Sequence, residues 1–168
     1  MEIVRIKEKE IAVLSPFAMD VFIDYYTPLI GNKQAQYMAD LFLSEKAMKQ
    51  LMKKGAVFNG VYEKQKIIGF SEYMIEEERL FLSKLYADKN NRGKGVGTLL
   101  FEDTKAYAKK NGLKKIYLTV NKGNTPSYEI YLHLGFKVID AVKSDIGHNY
   151  IMDDYIMEYT LETLSPLR

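Results

Sequence analysis

The residues best able to do chemistry fall in one run, Leu85-Tyr-Ala-Asp-Lys-Asn-Asn-Arg-Gly-Lys-Gly-Val-Gly-Thr98. It leads from a strand-like segment, Leu80 to Ala87, into an amphipathic stretch from Val96 to Lys110. Gly93, Gly95 and Gly97 remove side chains where a ligand would approach the backbone. Amides at a helix start have no intrahelical acceptor, and the helix dipole favours an anion there. Arg92 and Lys94 add positive charge beside those amides. The combination suits a pyrophosphate; the alternative is a tight strand-to-helix turn with no ligand. Two other glycine-loop chemistries fail on spacing. A Walker-type loop built on Gly93-Lys94 needs glycine at position 88 and Ser or Thr at 95, where the chain has Asp88 and Gly95. A G-x-G-x-x-G dinucleotide loop needs glycine where Thr98 stands.

Other reactive side chains are few. With no cysteine, thiolate nucleophiles, disulfides and thiolate zinc sites are excluded. His133 and His148 are the only imidazoles, so no metal is expected. Glu72 lies in the middle of a strand-like run and reads either as a carboxylate facing a substrate or as a solvated outward one. The acidic turn Glu76 to Glu78 reads as a solvated hairpin end, and His148, between Gly147 and Asn149, as a loop residue.

A second motif follows the loop. Asn121-Lys-Gly-Asn124-Thr-Pro-Ser-Tyr-Glu-Ile-Tyr131-Leu-His-Leu-Gly135-Phe136 sets an Asn seven residues before a Tyr, with Gly-Phe four and five residues after it. Arg92-x-x-Gly95-x-Gly97 resembles the acetyl-CoA loop of the GNAT acetyltransferases, Q/R-x-x-G-x-G/A, and the second run resembles that family's second motif. The resemblance covers Val57 to Leu161 well and extends over nearly the whole chain.

The resemblance implies an acetyl-CoA-dependent N-acetyltransferase. Its sheet is expected to splay between Leu80–Ala87 and Lys115–Val120. The pantetheine arm would pair with the backbone of Leu85, Tyr86 and Ala87 and meet Asn124. The pyrophosphate would sit on Arg92, Gly93, Lys94, Gly95, Val96, Gly97 and Thr98. Tyr131 matches the family's general acid, beside the thioester sulfur; the chain's 13 tyrosines make a core tyrosine the alternative. A free thiol near ~8.5 leaves more easily than a phenol near ~10 yields its proton, so a strong hydrogen bond to sulfur is enough. An acceptor amine with pKa ~10.4 is neutral in only about one molecule per thousand near pH 7.4. A base is therefore useful, and Glu72 is the candidate.

The tail Asp145 to Glu158 and the run Ser83 to Tyr86 resemble the PaiA-like bacterial polyamine N-acetyltransferases. A polyamine needs carboxylates and aromatic faces. Asp24, Glu72, Asp145, Asp153 and Asp154 are available, and Tyr25-Tyr26 and Gln36-Tyr37 are candidates to line the acceptor side. The acceptor is thus expected to be a small primary amine such as spermidine or spermine. Protein acetylation and a non-catalytic acetyl-CoA-binding regulator remain alternatives.

These residues need a scaffold, and the hydrophobic pattern supplies one. Glu2 to Ile6 alternates as a strand. Ile11 to Tyr26 has helical spacing interrupted by Pro16, so that either Ser15 caps a helix with Pro16 first or a short turn precedes it. Gln34 to Leu43 is a second helix, and Ser44 caps a third that stops at Gly55. Val57–Tyr62 and Lys66–Ile75 form a hairpin around Glu63, Lys64 and Gln65. After Leu80–Ala87, the helix Val96–Lys110 stops at Asn111-Gly112. Strand Lys115–Val120, helix Pro126–Leu134, and strands Phe136–Lys143 and Asp154–Leu161 complete the chain. The expected fold class is α/β (α+β): a mixed, twisted sheet of about seven strands with about four to five flanking helices.

Composition sets the remaining bounds. A chain of 168 residues, 47% apolar and 27% charged, suits one soluble domain spanning 1–168. A net charge of +2 gives no argument for nucleic acid. The charged stretch Met1 to Glu10 lacks a signal-like apolar run, and no stretch reaches membrane-spanning length. A cytoplasmic protein is expected, without a membrane partner. A homodimer is admitted by family analogy alone.

Overall fold

The computed structural model describes residues 1–162; residues 163–168, the last six of the expected domain, lie outside the described residues. Among the described residues seven strands and five α-helices follow one another as β1 (Glu2–Arg5), α1 (Ile11–Ile30), α2 (Asn32–Leu43), α3 (Glu45–Lys53), β2 (Val57–Glu63), β3 (Lys66–Glu76), β4 (Arg79–Ala87), α4 (Val96–Lys110), β5 (Lys115–Asn121), α5 (Thr125–Leu134), β6 (Lys137–Asp145) and β7 (Ile151–Thr160). The sheet order is β1-β2-β3-β4-β5-β7-β6. Parallel pairing of β4 with β5 runs through Arg79↔Lys115, Leu80↔Ile116 and Phe81↔Tyr117, the first three residues of β4. The pairs β1·β2, β2·β3, β5·β7 and β6·β7 are antiparallel. This is the expected mixed α/β class.

Packing divides the chain into two compact units, Met1–Met74 with Ser83–Asp103, and Ile75–Leu82 with Thr104 onward. In the first, α1 buries Ile11, Leu14, Ala18, Val21 and Phe22 at helical spacing, and α2 buries Ala35, Met38, Ala39 and Leu43. Each fully buried Leu or Phe contributes roughly 1.5–3 kcal/mol of transfer free energy. Ser44 caps α3 by accepting from the Ala47 amide at 3.2 Å. At the β2–β3 turn Lys64 and Gln65 both adopt positive φ, 51° and 67°, the conformation of a tight two-residue hairpin. A polar network closes the opposite face. Tyr73 donates its hydroxyl to Asp103 at 2.6 Å and accepts from Arg5 at 2.7 Å; Arg5 also donates to Asn59, which reaches Ser71 at 3.1 Å. Burial and the Asp103 carboxylate push the Tyr73 hydroxyl well above its ordinary value.

Two local expectations need correction. Pro16 neither starts nor breaks α1, which runs unbroken from Ile11. The proline stands near the helix start on an exposed side with Ala12 and Val13, so water takes the place of its missing N–H. Ser15 is no cap; it is buried and donates its hydroxyl to the Leu43 carbonyl at 2.6 Å, joining α1 to the end of α2. The acidic turn is also only partly solvated. Glu77 and Glu78 are exposed, but Glu76 accepts a hydrogen bond from the Tyr117 hydroxyl within the second unit.

That second unit is centred on β5 and β7, with Ile116, Leu118, Met157 and Phe136 buried. Arg79 and Lys115 both pair with Glu158, at 3.1 and 2.9 Å, and hold its carboxyl below the usual range despite partial burial. Gly135 ends α5 in the left-handed conformation, φ 107°.

Candidate active site

The first unit contains the glycine loop. β4 ends at Ala87, and the Asp88 amide bonds the Ile68 carbonyl at 2.9 Å. The Asp88 carboxylate then accepts from the Asn90 amide at 2.6 Å and from the Asn91 side chain at 3.1 Å, which fixes the turn before the glycines. Asn91 is buried, and its side-chain oxygen accepts from Lys94 at 3.3 Å. Gly93 and Gly95 sit at φ +78° and +89°, so the turn itself demands glycine at both. Gly97 differs: a Cβ there would meet only a Leu85 methyl at 3.7 Å, an ordinary contact. The fold does not require glycine at 97, whereas a ligand lying on the helix start would. That clearance is the fit between this chain and a pyrophosphate.

Val96 anchors α4 by packing, with Leu100, against Val61 and Ile68; Leu85 and Ala87 join the same cluster. Gly69 makes this possible. A Cβ on it would lie 2.4 Å from a Val96 methyl and 3.0 Å from the Tyr86 carbonyl. Arg92 is exposed, and its guanidinium lies 5.3 Å from the centre of the Tyr25 ring.

On the other face of β4, Tyr86 packs with Phe22, Tyr25, Tyr26 and Phe70, and its hydroxyl is 2.9 Å from that of Tyr26. Glu72 stands two residues from Phe70 on β3, and only 5% of it is exposed. Its Oε1 has no hydrogen-bond partner among the described residues. Burial pushes its carboxyl above the ordinary range, and the charge of Lys84 pulls the other way. The outward, solvated reading of Glu72 is therefore corrected.

The second unit holds Asn124 and Tyr131. Asn124 is buried at the start of α5, where its side-chain oxygen accepts from the Ser127 amide at 3.3 Å. Pro126 takes an early helix position, as read. Tyr131 is half-buried, its ring 5.4 Å from Phe136 in an edge contact, on a helix that buries none of its residues. Among the described residues the buried tyrosine is Tyr73.

Of the carboxylates expected to gather, Asp24 is exposed on α1. Asp145 accepts from the Gly147 amide at 2.8 Å, Asp153 pairs with Lys122 at 3.2 Å, and Asp154 is buried. Gln36 donates to Asn32 at 2.7 Å, within α2. His148 is exposed in the β6–β7 turn at φ 54°. Among the described residues no group of three His, Cys, Asp or Glu side chains is placed to hold a metal, and no helix is long and apolar enough to cross a membrane.

Sequence reasoning missed Gly69 and the Glu72–Lys84 association, whereas Tyr25, read as lining the acceptor side, stands with its ring 5.9 Å from that of Tyr86. A glycine inside the apolar run Ile67 to Phe70 was a usable signal, since it marks close backbone approach in a strand. The Glu72–Lys84 association depends on cross-strand proximity that no spacing encodes.

The profile of the Acetyltransferase (GNAT) family matches residues 18–136. A spermidine N(1)-acetyltransferase of Thermoplasma acidophilum is 23% identical over 150 residues, 86% of this chain and 93% of that protein. The crystal structure of the PaiA N-acetyltransferase of Thermoplasma acidophilum in complex with coenzyme A superposes with TM-score 0.81 at 22% identity, covering 95% of this chain and 98% of that one. The ribosomal-protein-S18-alanine N-acetyltransferase of Escherichia coli has the same fold at TM-score 0.70 and 15% identity, covering 99% of this chain and 97% of that one.

Proposed function

Because the chain belongs to the GNAT acetyltransferase family, and is an N-acetyltransferase by that membership, we propose that it moves the acetyl group of acetyl-CoA to a primary amine of a polyamine such as spermidine. The observation that carries the cosubstrate is Gly97, a glycine that the fold itself does not need, at the start of a helix flanked by Arg92 and Lys94. The polyamine is supported by the spermidine-acetylating relative and by the aromatic face that carries buried Glu72.

In this reading the backbone of Leu85 to Ala87 pairs with the pantetheine arm, Asn124 bonds it, and the first-turn amides of α4 take the pyrophosphate. The acceptor nitrogen attacks the thioester carbon as the carbon–sulfur bond breaks. Tyr131 supports the departing thiolate by hydrogen bonding. The amine's proton passes to Glu72, whose raised affinity for protons brings it nearer the range of a working base. No acyl-enzyme is formed. The protein spans a single functional domain.

The test is acetyl-CoA-dependent release of free thiol with spermidine, amino acids, aminoglycosides and a lysine peptide as acceptors. Spermidine should give the highest kcat/KM. Higher efficiency with the peptide replaces this reading with protein acetylation, and no release with any amine removes it.

A further inference from the structure

Lys84 is the unexpected group on the aromatic face. It lies on β4, half-buried, with its ammonium 3.0 Å from the Ser83 hydroxyl and 5.4 Å from the centre of the Phe42 ring at the end of α2. Glu72 on β3 and Lys84 on β4 each stand two residues from a ring of the contacting pair Phe70 and Tyr86, 5.7 Å apart, so strand alternation sets both on one face. There the Lys84 charge acts on Glu72, a buried carboxylate whose Oε1 has no hydrogen-bond partner among the described residues. A site built only to hold cations has no use for a fixed ammonium beside its buried acid.

The chemistry of amine acetylation gives the cation a use. The acceptor arrives as an ammonium and reacts only as the neutral amine, so the protein must shift that equilibrium. A like charge nearby, in a partly dry setting, disfavours the ammonium and favours the neutral amine. Lys84 supplies that charge, and Glu72 stands ready to take the proton. Titratable groups that contacts and strand alternation place on this face are Glu72 on β3, Lys84 and Tyr86 on β4, and Tyr25 and Tyr26 on α1; α2 presents the Phe42 ring and carries the half-buried Tyr37. The charged residues of α1 and α2, Asp20, Asp24, Lys33 and Asp40, are exposed.

We propose that Lys84 is a positioning residue of electrostatic kind, which lowers the proton affinity of the acceptor amine beside Glu72 and thereby trades acceptor affinity for turnover. This rests on the acceptor lying on the Glu72 face, as in the proposed function.

The trade predicts opposite changes in two constants. Lys84→Met should bind spermidine more tightly, with KM lower by about threefold to tenfold, because a competing cation is gone. Its kcat at pH 7.5 should fall by about tenfold, and the rising limb of its pH profile should move up by about one unit. Lys84→Arg, which keeps the charge, should keep the wild-type limb. The comparison is then repeated in the Glu72→Gln background, where a persisting shift assigns the effect to the amine. A Met variant whose limb coincides with that of the wild type overturns the proposal. So does an Arg variant shifted as far as Met, or a shift that vanishes with Glu72→Gln. Failure of the function itself is seen earlier, as absence of thiol release by the wild-type protein with any amine.

Discussion

The glycine loop and helix α5 carry the two motifs that identify the family, yet they are held in opposite ways. Behind the loop, Val96 and Leu100 are 1% and 0% exposed, packed on Val61 and Ile68, and Gly69 lets the strand approach within contact of Val96. Helix α5 buries none of its residues, and Ile130, Leu132 and Leu134 are 58%, 38% and 37% exposed. The loop proposed to cradle a phosphate is therefore set by tertiary packing, which would avoid an ordering cost on binding. The helix bearing Tyr131 is held by half-buried rings, Tyr128 at 5.4 Å from Tyr155 and Tyr131 at 5.4 Å from Phe136, together with the Asn124 cap and the Gly135 stop.

The largest expected effect tests that contrast directly. Leu100→Ala should destabilise the fold by about 2–5 kcal/mol, through lost burial and a cavity that close packing prevents from collapsing. Ile130→Ala should change stability by less than about 0.5 kcal/mol. Denaturant titration of both decides it, and similar losses would mean that α5 is packed as firmly as α4.

This contrast also explains what the sequence made legible. Punctuation residues act locally, so the stop at Gly112, the end of α5 at Gly135, the Ser44 cap and the turn at Lys64-Gln65 stand where they were read. The bounds Val96–Lys110 agree residue for residue. Pro16 was misread because a proline's cost depends on whether its carbonyl partner reaches water, a fact of the third dimension. The burial of Glu72 was equally hidden: its place in β3 was readable, but which side of the strand α1 would cover was not. Strand order belongs to the same class, since β7 lies between β5 and β6 although it comes last.

A smaller effect separates the roles of the two motifs. Gly97→Val should keep the fold, because a Cβ there has room, but should obstruct the helix start. In the wild type, acetyl-CoA at 100 times its Kd should add about 2.7 kcal/mol of stability, and Gly97→Val should lose most of it. Tyr131→Phe should keep that stabilisation and lower kcat by roughly 10–100-fold, at the low end for acid catalysis. Thermal shift and turnover measured together sharpen the comparison. A Tyr131→Phe enzyme with wild-type turnover would make that tyrosine structural.

The smallest effect concerns Asn124, where cap and ligand contact compete as explanations. A helix with no fully buried residue draws less from packing than α4 does, so its cap should count strongly. The Asn124 side-chain oxygen holds the Ser127 amide, and its own amide bonds the Asn121 carbonyl at 2.8 Å. Asn124→Ala should cost about 1 kcal/mol. Asn124→Ser keeps an oxygen acceptor for the cap and should recover most of that loss. Serine cannot reproduce the reach or the two N–H donors of an asparagine amide. If Asn124 also bonds the pantetheine arm, the Ser variant should regain stability yet bind acetyl-CoA more weakly than the wild type by about tenfold, the worth of a hydrogen bond of about 1.4 kcal/mol. Full recovery of both stability and acetyl-CoA affinity in Asn124→Ser would reduce the residue to a helix cap, and would leave Leu85 to Ala87 and the glycine loop to hold the cosubstrate without it.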